Sequence, residues 1–281
     1  MNERIVTSIL KKYRKQLWAP FLTALREYRL IDPGDKIAVC LSGGKDSALM
    51  AVLLRQLERY SDIPYSLEFI AMDPGYSPAN RERLLENCAA LELPVRVFET
   101  NVFAVAEKQE KNPCYLCARM RRGHLYTYAQ SLGCNKIALG HHLSDVIETT
   151  LMGMLWGAQI QGMLPKLNST SHPGMQLIRP LYRIHEDSIT AWARYNGLEF
   201  LHCACRMTEE AALDEEASKR RETKALIRAL KKTNPDVEKN LFNAVHRVNG
   251  DTFVSCQLGG VRHSFLEEFE GEKEIPEAEQ G

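Results

Sequence analysis

The apolar positions of the chain change period several times, and each change marks an element. Ile5, Ile9, Leu10, Tyr13, Leu17, Phe21 and Leu25 recur at helical spacing, and Pro20 within them predicts two helical pieces kinked at that residue. Asp32-Pro-Gly34 ends this pattern. From Lys36 to Leu41 the chain is almost continuously apolar, as a strand buried on both faces reads, and helical spacing resumes over 48–60. Further strands are predicted at 65–72, 95–98, 136–139, 175–178 and 200–205. Further helices are predicted at 78–91, opened by Ser77-Pro78, at 118–132, at 186–195, closed by Asn196-Gly197, and at 211–232 and 237–248. The stretch 157–171, rich in Gly, Met and polar residues, reads as a loop and a mobile cover for an active site. The end from Phe265 is polar and acidic and reads as disordered.

Strands separated by helices of this length predict an α/β protein with a mostly parallel, doubly wound sheet and right-handed crossovers. The expected division is a helical segment over 1–35, the α/β domain over 36–205, a helical extension over 206–262 and an acidic tail over 263–281. In such a sheet functional residues gather at the carboxyl ends of the strands, near the point where strand order reverses.

Composition narrows the class. The 281 residues are 44% hydrophobic and 26% charged, which suits a soluble globular protein with one sizeable core. No apolar run reaches the roughly eighteen residues of a membrane span, and the N-terminus, with Glu3 and Arg4, lacks the apolar core of a signal peptide. A cytoplasmic protein without a membrane partner is expected. The 36 basic and 36 acidic residues cancel, but the charge is local. Lys11, Lys12, Arg14 and Lys15 form one basic cluster, Arg119, Arg121 and Arg122 a second, and Lys219, Arg220, Arg221, Lys224 and Arg228 a third. Such clusters are solvated faces or contacts for nucleic-acid phosphate.

The first strand stops in Ser42-Gly-Gly-Lys-Asp-Ser47, straight before a helix. Backbone amides and the positive end of that helix then meet at one point and attract phosphate. Gly43 and Gly44 allow close approach, Lys45 neutralises charge, and Ser42 and Ser47 donate hydroxyl hydrogen bonds. The common phosphate loop is excluded, because Val39 and Asp46 stand where it requires Gly and Ser or Thr. Asp73 ends the second strand, and Gly140-His-His-Leu-Ser-Asp145 follows a later one, so Asp73, His141, His142, Asp145 and Glu148 are expected at the same edge. Asp145 is expected to cap the helix there. The two adjacent His point in different directions and do not suggest a shared metal.

Of the eight Cys, Cys40, Cys88, Cys134 and Cys256 stand alone and read as small hydrophobes. Cys114-Tyr-Leu-Cys117 and Cys203-Ala-Cys205 are paired. The first pair fits a redox dithiol, half a zinc site or cluster ligands. A Cys-x-Cys spacing is a poor zinc knuckle, whereas three thiolates from the two pairs suit a 4Fe-4S cluster with one iron open.

The Ser42–Ser47 stretch resembles the PP-loop of the ATP pyrophosphatases. Taken with Cys114-x-x-Cys117 and its following Arg119-Met-Arg-Arg-Gly123, with Gly140-His-His-x-x-Asp145, with Arg179-Pro-Leu181 and with a late Cys, the chain resembles the tRNA 2-thiocytidine synthetases. The resemblance, over about residues 10–230, implies that ATP adenylates C2 of an anticodon-loop cytidine and that sulfur delivered through the cluster displaces AMP. It implies catalytic roles for Lys45 and Asp46, and nucleotide contacts from Ser42 to Ser47, Asp73, Gly140, His141 and Asp145. It implies Mg²⁺ on Asp46 or Asp145, and cluster ligands Cys114, Cys117 and Cys205, although Cys203 competes for the third place. The implied partners are tRNA and a sulfur donor such as a cysteine desulfurase or sulfide, and a homodimer is compatible with the family. Two alternatives stand beside it: the same chemistry on another nucleoside or a small amide, or a non-catalytic iron-sulfur or zinc regulator that senses nucleotide.

Overall fold

The computed structural model describes residues 3–106, 113–201 and 215–267, with the backbone alone at 113–115 and 215–218. The chain divides into two compact units, 1–238 and 239–281. The first is built on a six-stranded sheet. Its strands are β1 (Lys36–Leu41), β2 (Ser66–Asp73), β3 (Val95–Glu99), β4 (Lys136–Ala138), β5 (Lys166–Asn168) and β6 (Gln176–Ile178), in spatial order β3-β2-β1-β4-β6-β5. All are parallel except β5, which runs antiparallel to β6 at the edge. The order runs outward from β1 to β3 and then returns to β4, so strand order reverses between β1 and β4.

The described helices of this unit are α1 (Glu3–Thr7), α2 (Ala19–Glu27), α3 (Lys45–Glu58), α4 (Pro78–Ala90), α5 (Val102–Ala106), α6 (Pro113–Ser131), α7 (Leu143–Trp156), α8 (Glu186–Tyr195) and α9 (Glu215–Thr233), and α10 (Val237–Ala244) follows. The apolar run of β1 serves two cores, because side chains alternate across a strand. Ile37, Val39 and Leu41 join Leu49, Met50, Leu53, Phe21 and Trp192 on one face, while Ala38 and Cys40 join Ile70, Tyr126, Ala129 and Leu177 on the other. Helices covering both faces explain why this strand carries no polar alternation.

Several elements differ from the sequence expectation. The N-terminal helix is interrupted at Tyr13, between wider π-type turns at Ser8–Lys12 and Arg14–Trp18, and not at Pro20. Pro20 lies in the first turn of α2, where a missing N–H is tolerated. The helix expected from 118 opens at Pro113 and so takes Cys114 and Cys117 into its first turns. The stretch 157–171 is not loop throughout, since Lys166–Asn168 pairs with β6. Phe200 and Leu201 are not a strand; Leu201 N–H instead donates to the Gly43 carbonyl at 3.1 Å, and 202–205 lie outside the described residues.

In the second unit the helix expected to reach 248 ends at Ala244, and Ser255–Leu258 pairs with Val261–Ser264 as a hairpin within the stretch read as helical extension. Gly259 and Gly260 have φ of 58° and 86°, the left-handed pair that a two-residue hairpin turn needs. Residues 268–281, expected to be disordered, lie outside the described residues. Among the described residues no helix is long and apolar enough to cross a membrane.

Candidate nucleotide and cysteine site

The turn after β1 is shaped by its serines. Ser42 N–H donates to Ser47 Oγ at 3.1 Å, the two hydroxyls lie 3.1 Å apart, and Ser47 Oγ donates to the Gly44 carbonyl at 3.0 Å. This folds the loop back onto the first turn of α3, whose amides at Lys45, Asp46 and Ser47 have no acceptor within the helix. Gly43 has φ of 81°, and a side chain there would meet Leu201 at 2.5 Å.

The loop after β4 packs directly against it. A Cβ on Gly140 would stand 2.9 Å from the Ser47 nitrogen, so only glycine lets the two loops touch across the point of strand-order reversal. His142 is the N-cap of α7: its backbone N–H donates to Asp145 Oδ2 at 3.0 Å, and its ring nitrogen Nδ1 accepts from the Asp145 N–H at 3.4 Å. Asp145 therefore closes a capping box from the third helical position, and His142, not Asp145 as the sequence suggests, is the cap. Burial opposes the Asp145 charge, but His142 and its backbone N–H outweigh that and lower the pKa. Burial, with Arg179 nearby, pushes His141 down to about 4, so its imidazole is neutral at pH 7.

Around these loops lies a charge network that crosses the fold. Lys45 Nζ is 3.0 Å from Glu186 Oε1 and 3.2 Å from Asp46. The other Glu186 oxygen is 2.9 Å from Lys224 of α9, and Arg220 of the same helix is 3.0 Å from Asp145 and 3.5 Å from Glu148. Burial disfavours the Glu186 charge, but hydrogen bonds from Lys224 and Lys45 carry its pKa down to about 2. Glu148, 3% exposed, goes the other way: burial outweighs Lys224 and Arg220 and raises it to about 7.

A cavity of 380 Å³ opens beside the loop, lined by Cys40, Ser42, Asp46, Ser47, Gly140, His141 and Asp145 together with Ala118, Arg121 and Arg122 of α6. Cys117 immediately precedes Ala118, and Cys114, Cys117 and Arg121 follow at three- and four-residue steps along one helical face. The cysteine helix and the phosphate loop thus share one cavity. Lys45 lies on the other side of Asp46, in a wider crevice with Gly44, Glu186 and Leu201.

The structure brings together Ser42, Gly43, Gly44, Lys45, Asp46, Ser47, Gly140, His141 and Asp145. Asp73 is at the same strand edge, but its Oδ1 accepts from Gly75 and Tyr76 N–H at 2.9 and 2.7 Å and shapes its own turn. The side chain of Cys114, and Cys203 and Cys205 entirely, lie outside the described residues. The 157–171 stretch lines neither cavity, and it is tied down by Arg179 to the Leu164 carbonyl and by Tyr182 Oη to the Met163 carbonyl at 2.7 Å. A cover role has no support in that anchoring. Cys40, Cys88 and Cys134 are buried with thiol pKa values raised by burial, as lone small hydrophobes should be, whereas Cys256, expected to be the same, is partly exposed, as is Cys117. Sequence reasoning did not select Glu186, whose role rests on contacts 141 and 38 residues away. The one local signal is its place in the first turn of α8.

Donor chemistry can be tested against the groups such a site would hold. Asp46 Oδ1 and Glu148 Oε2 are buried oxygens without a hydrogen-bond partner among the described residues, and carboxylate oxygens suit Mg²⁺. Among those residues no three His, Cys, Asp or Glu are grouped as a complete metal site, so phosphate oxygens and water would complete the shell, as is usual for this ion. For iron-sulfur ligation, a partly exposed Cys117 beside the cavity fits a thiolate better than the buried thiols do.

A strand, a glycine turn and a helix N-terminus at the switch point, faced by a second glycine loop, define a nucleotide-binding α/β protein of PP-loop type. A PP-loop domain model matches residues 10–207. A tRNA-cytidine(32) 2-sulfurtransferase from Cellvibrio japonicus is 33% identical over 262 residues, covering 92% of this chain and 84% of the relative. One from Geobacter sulfurreducens is 35% identical over 239 residues, covering 84% and 90%. The chain belongs to the PP-loop family and, within it, to the tRNA-cytidine(32) 2-sulfurtransferases. Among solved structures, a U34-tRNA thiolase from Methanococcus maripaludis with its 4Fe-4S cluster shares the fold at a TM-score of 0.63 and 21% identity, covering 84% of this chain and 80% of that one.

Proposed function

We propose that this protein is an ATP-dependent tRNA sulfurtransferase. The O2 oxygen of an anticodon-loop cytidine attacks the α-phosphorus of ATP, the bond to the β-phosphate breaks, and pyrophosphate leaves. Sulfur at the sulfide level, as hydrosulfide, then adds at C2 and loses its proton, and the C2–O bond breaks to release AMP. Position 32 is the cytidine that the relatives' name gives. The observation that carries this reading is the single cavity lined by both the phosphate loop and the helix that holds Cys114 and Cys117.

The chain's own residues divide the work. Amides of the first turn of α3, with Ser42 and Ser47, bind phosphate, and Lys45 offsets its charge. Asp46 or Asp145 would hold Mg²⁺ against the phosphates. Neutral His141 lines the cavity without adding a cation, and the apolar walls at buried Cys40 and partly buried Leu139 limit water around the adenylate. Cys114, Cys117 and Cys205 would hold the 4Fe-4S cluster, which when bound supplies the sulfur for transfer. Asp73 is proposed for the nucleotide only through its turn. The sulfur comes from a donor such as sulfide, or a cysteine desulfurase whose persulfide sulfur takes two electrons from a thiol reductant before transfer; the reaction runs in the cytoplasm, and a homodimer is to be tested by solution mass.

Mass spectrometry of tRNA nucleosides tests the reading: cells lacking the gene should lose 2-thiocytidine and regain it with the wild-type copy. Unchanged 2-thiocytidine, or thiolation of a free small molecule without RNA, would refute it.

A further inference from the structure

Glu186 holds two ammonium groups at once. Its Oε1 is 3.0 Å from Lys45 of the phosphate loop and its Oε2 is 2.9 Å from Lys224 of α9. The two lysines are 179 residues apart in sequence yet are joined by one half-buried carboxylate. Lys224 is placed by packing and is not a stray surface charge: Thr223, with no exposed area, and Ile227, at 5%, fix this part of α9 to the fold. Behind it, Glu148 is 3% exposed and its Oε2 has no hydrogen-bond partner among the described residues. Lys224 also lies 3.7 Å from the other oxygen of that carboxylate.

Lys45 and Lys224 share Glu186, with Asp46 at 3.2 Å from Lys45 and Glu148 at 3.7 Å from Lys224 as their other anionic neighbours, and carboxylates beside a phosphate site compete with phosphate for the same donors. Cleavage between the α and β phosphates leaves a pyrophosphate that carries several charges, and catalysis of such a step rests on cations aimed at where charge develops. Lys45 alone is a single point charge.

We propose that Lys224 is a second cation for the β- and γ-phosphates, held ready by Glu186, which positions it beside Lys45 until the triphosphate takes both ammonium groups over. This rests on the PP-loop reading of the site above. Lys224 then binds the part of ATP that leaves and makes no contact with the AMP part. Glu186 is a positioning residue that ties α9 to the phosphate loop.

The test is titration calorimetry of the full chain with Mg²⁺ and either α,β-methylene-ATP, which cannot be cleaved at that bond, or AMP. Lys224→Ala should weaken the ATP analogue by about tenfold or more, the worth of a hydrogen bond to a charged group, and leave AMP unchanged. Lys224→Arg should restore most of the loss. Lys232→Ala, an exposed lysine farther along the same helix, should change neither. Equal weakening of both nucleotides in Lys224→Ala and Lys224→Arg would show a structural role and overturn the proposal, as would no weakening of either. Wild-type protein that binds neither nucleotide would refute the PP-loop reading itself, which is a separate result.

Discussion

The Lys45 ammonium lies between Asp46 and Glu186, which together outweigh the burial that opposes its charge and hold its pKa above the usual lysine value. Lys45→Ala should therefore abolish pyrophosphate release from ATP in the presence of tRNA while circular dichroism and the melting temperature stay close to wild type. Release of ADP and phosphate by the wild type would contradict the chemistry. Glu148 gives a pH prediction of opposite character. Its folded pKa of about 7 lies above the ordinary carboxylate value, so the folded state binds more protons than the unfolded one between about pH 4.5 and 7. The stability contribution is complete below that range and is lost as pH rises through it. The melting temperature of the wild type should fall from pH 5 to pH 8 more than that of Glu148→Gln, measured without nucleotide. Equal slopes would mean that Lys224 and Arg220 outweigh burial and the like charges of Asp145 and Glu186 and already keep the group ionised.

At the scale of elements, the loop entering β1 is fastened to β4 by a buried ion pair. Lys136, 2% exposed, lies 2.5 Å from Asp35 and 2.7 Å from Asp32, and also donates to the Leu30 carbonyl at 3.1 Å. This joins the two strands that carry the phosphate loop and the His141–His142 loop, at the ends opposite the site. Lys136→Met leaves Asp35 buried without its partner and should cost about 3–5 kcal/mol in urea unfolding, the usual penalty for a broken buried pair. The double variant with Asp35→Leu should recover much of it. A loss below about 1 kcal/mol in Lys136→Met would show that water already reaches the pair. Element α6 supplies a second expectation: Cys117→Ala should lose iron from anaerobically reconstituted protein, whereas Cys88→Ala, in the core, should retain it, as measured by iron content per chain.

At the scale of the whole molecule, zero net charge coexists with three basic clusters, and the structure assigns them different tasks. Arg121 and Arg122 line the cavity, Arg220 pairs with its carboxylate Asp145, Lys224 pairs with Glu186, and Lys12 lies 3.6 Å over the Tyr195 ring. The members Lys11, Arg14, Lys15, Arg119 and Arg221 are exposed, and under the proposed function they would meet tRNA phosphate. Binding of tRNA should then weaken as salt rises, and replacing Lys11, Arg14 and Lys15 by Gln should reduce the slope of log affinity against log salt by up to about three without changing ATP affinity. Equal, salt-independent binding of tRNA and an unrelated hairpin would argue against RNA as the partner.

What the sequence by itself determined is local or nearly so. The continuous apolar run before Ser42-Gly-Gly-Lys-Asp-Ser47 specifies a doubly covered strand, a tight turn and a helix start, since each depends on neighbours a few residues away. The strand and helix alternation specifies the parallel sheet, because parallel strands need crossovers. The Gly259-Gly260 turn was equally local, and the hairpin it makes was legible there but lay inside a stretch read as helical. Only the tertiary structure decided which distant groups meet. That Glu186 takes Lys45 and Lys224, that Arg220 turns inward to Asp145, that Gly140 must lack a side chain for Ser47, and that α6 brings Ala118, Arg121 and Arg122 to the phosphate-loop cavity all depend on strand order and helix packing. Those contacts join residues separated by tens to hundreds of positions, and no periodicity along the chain encodes them.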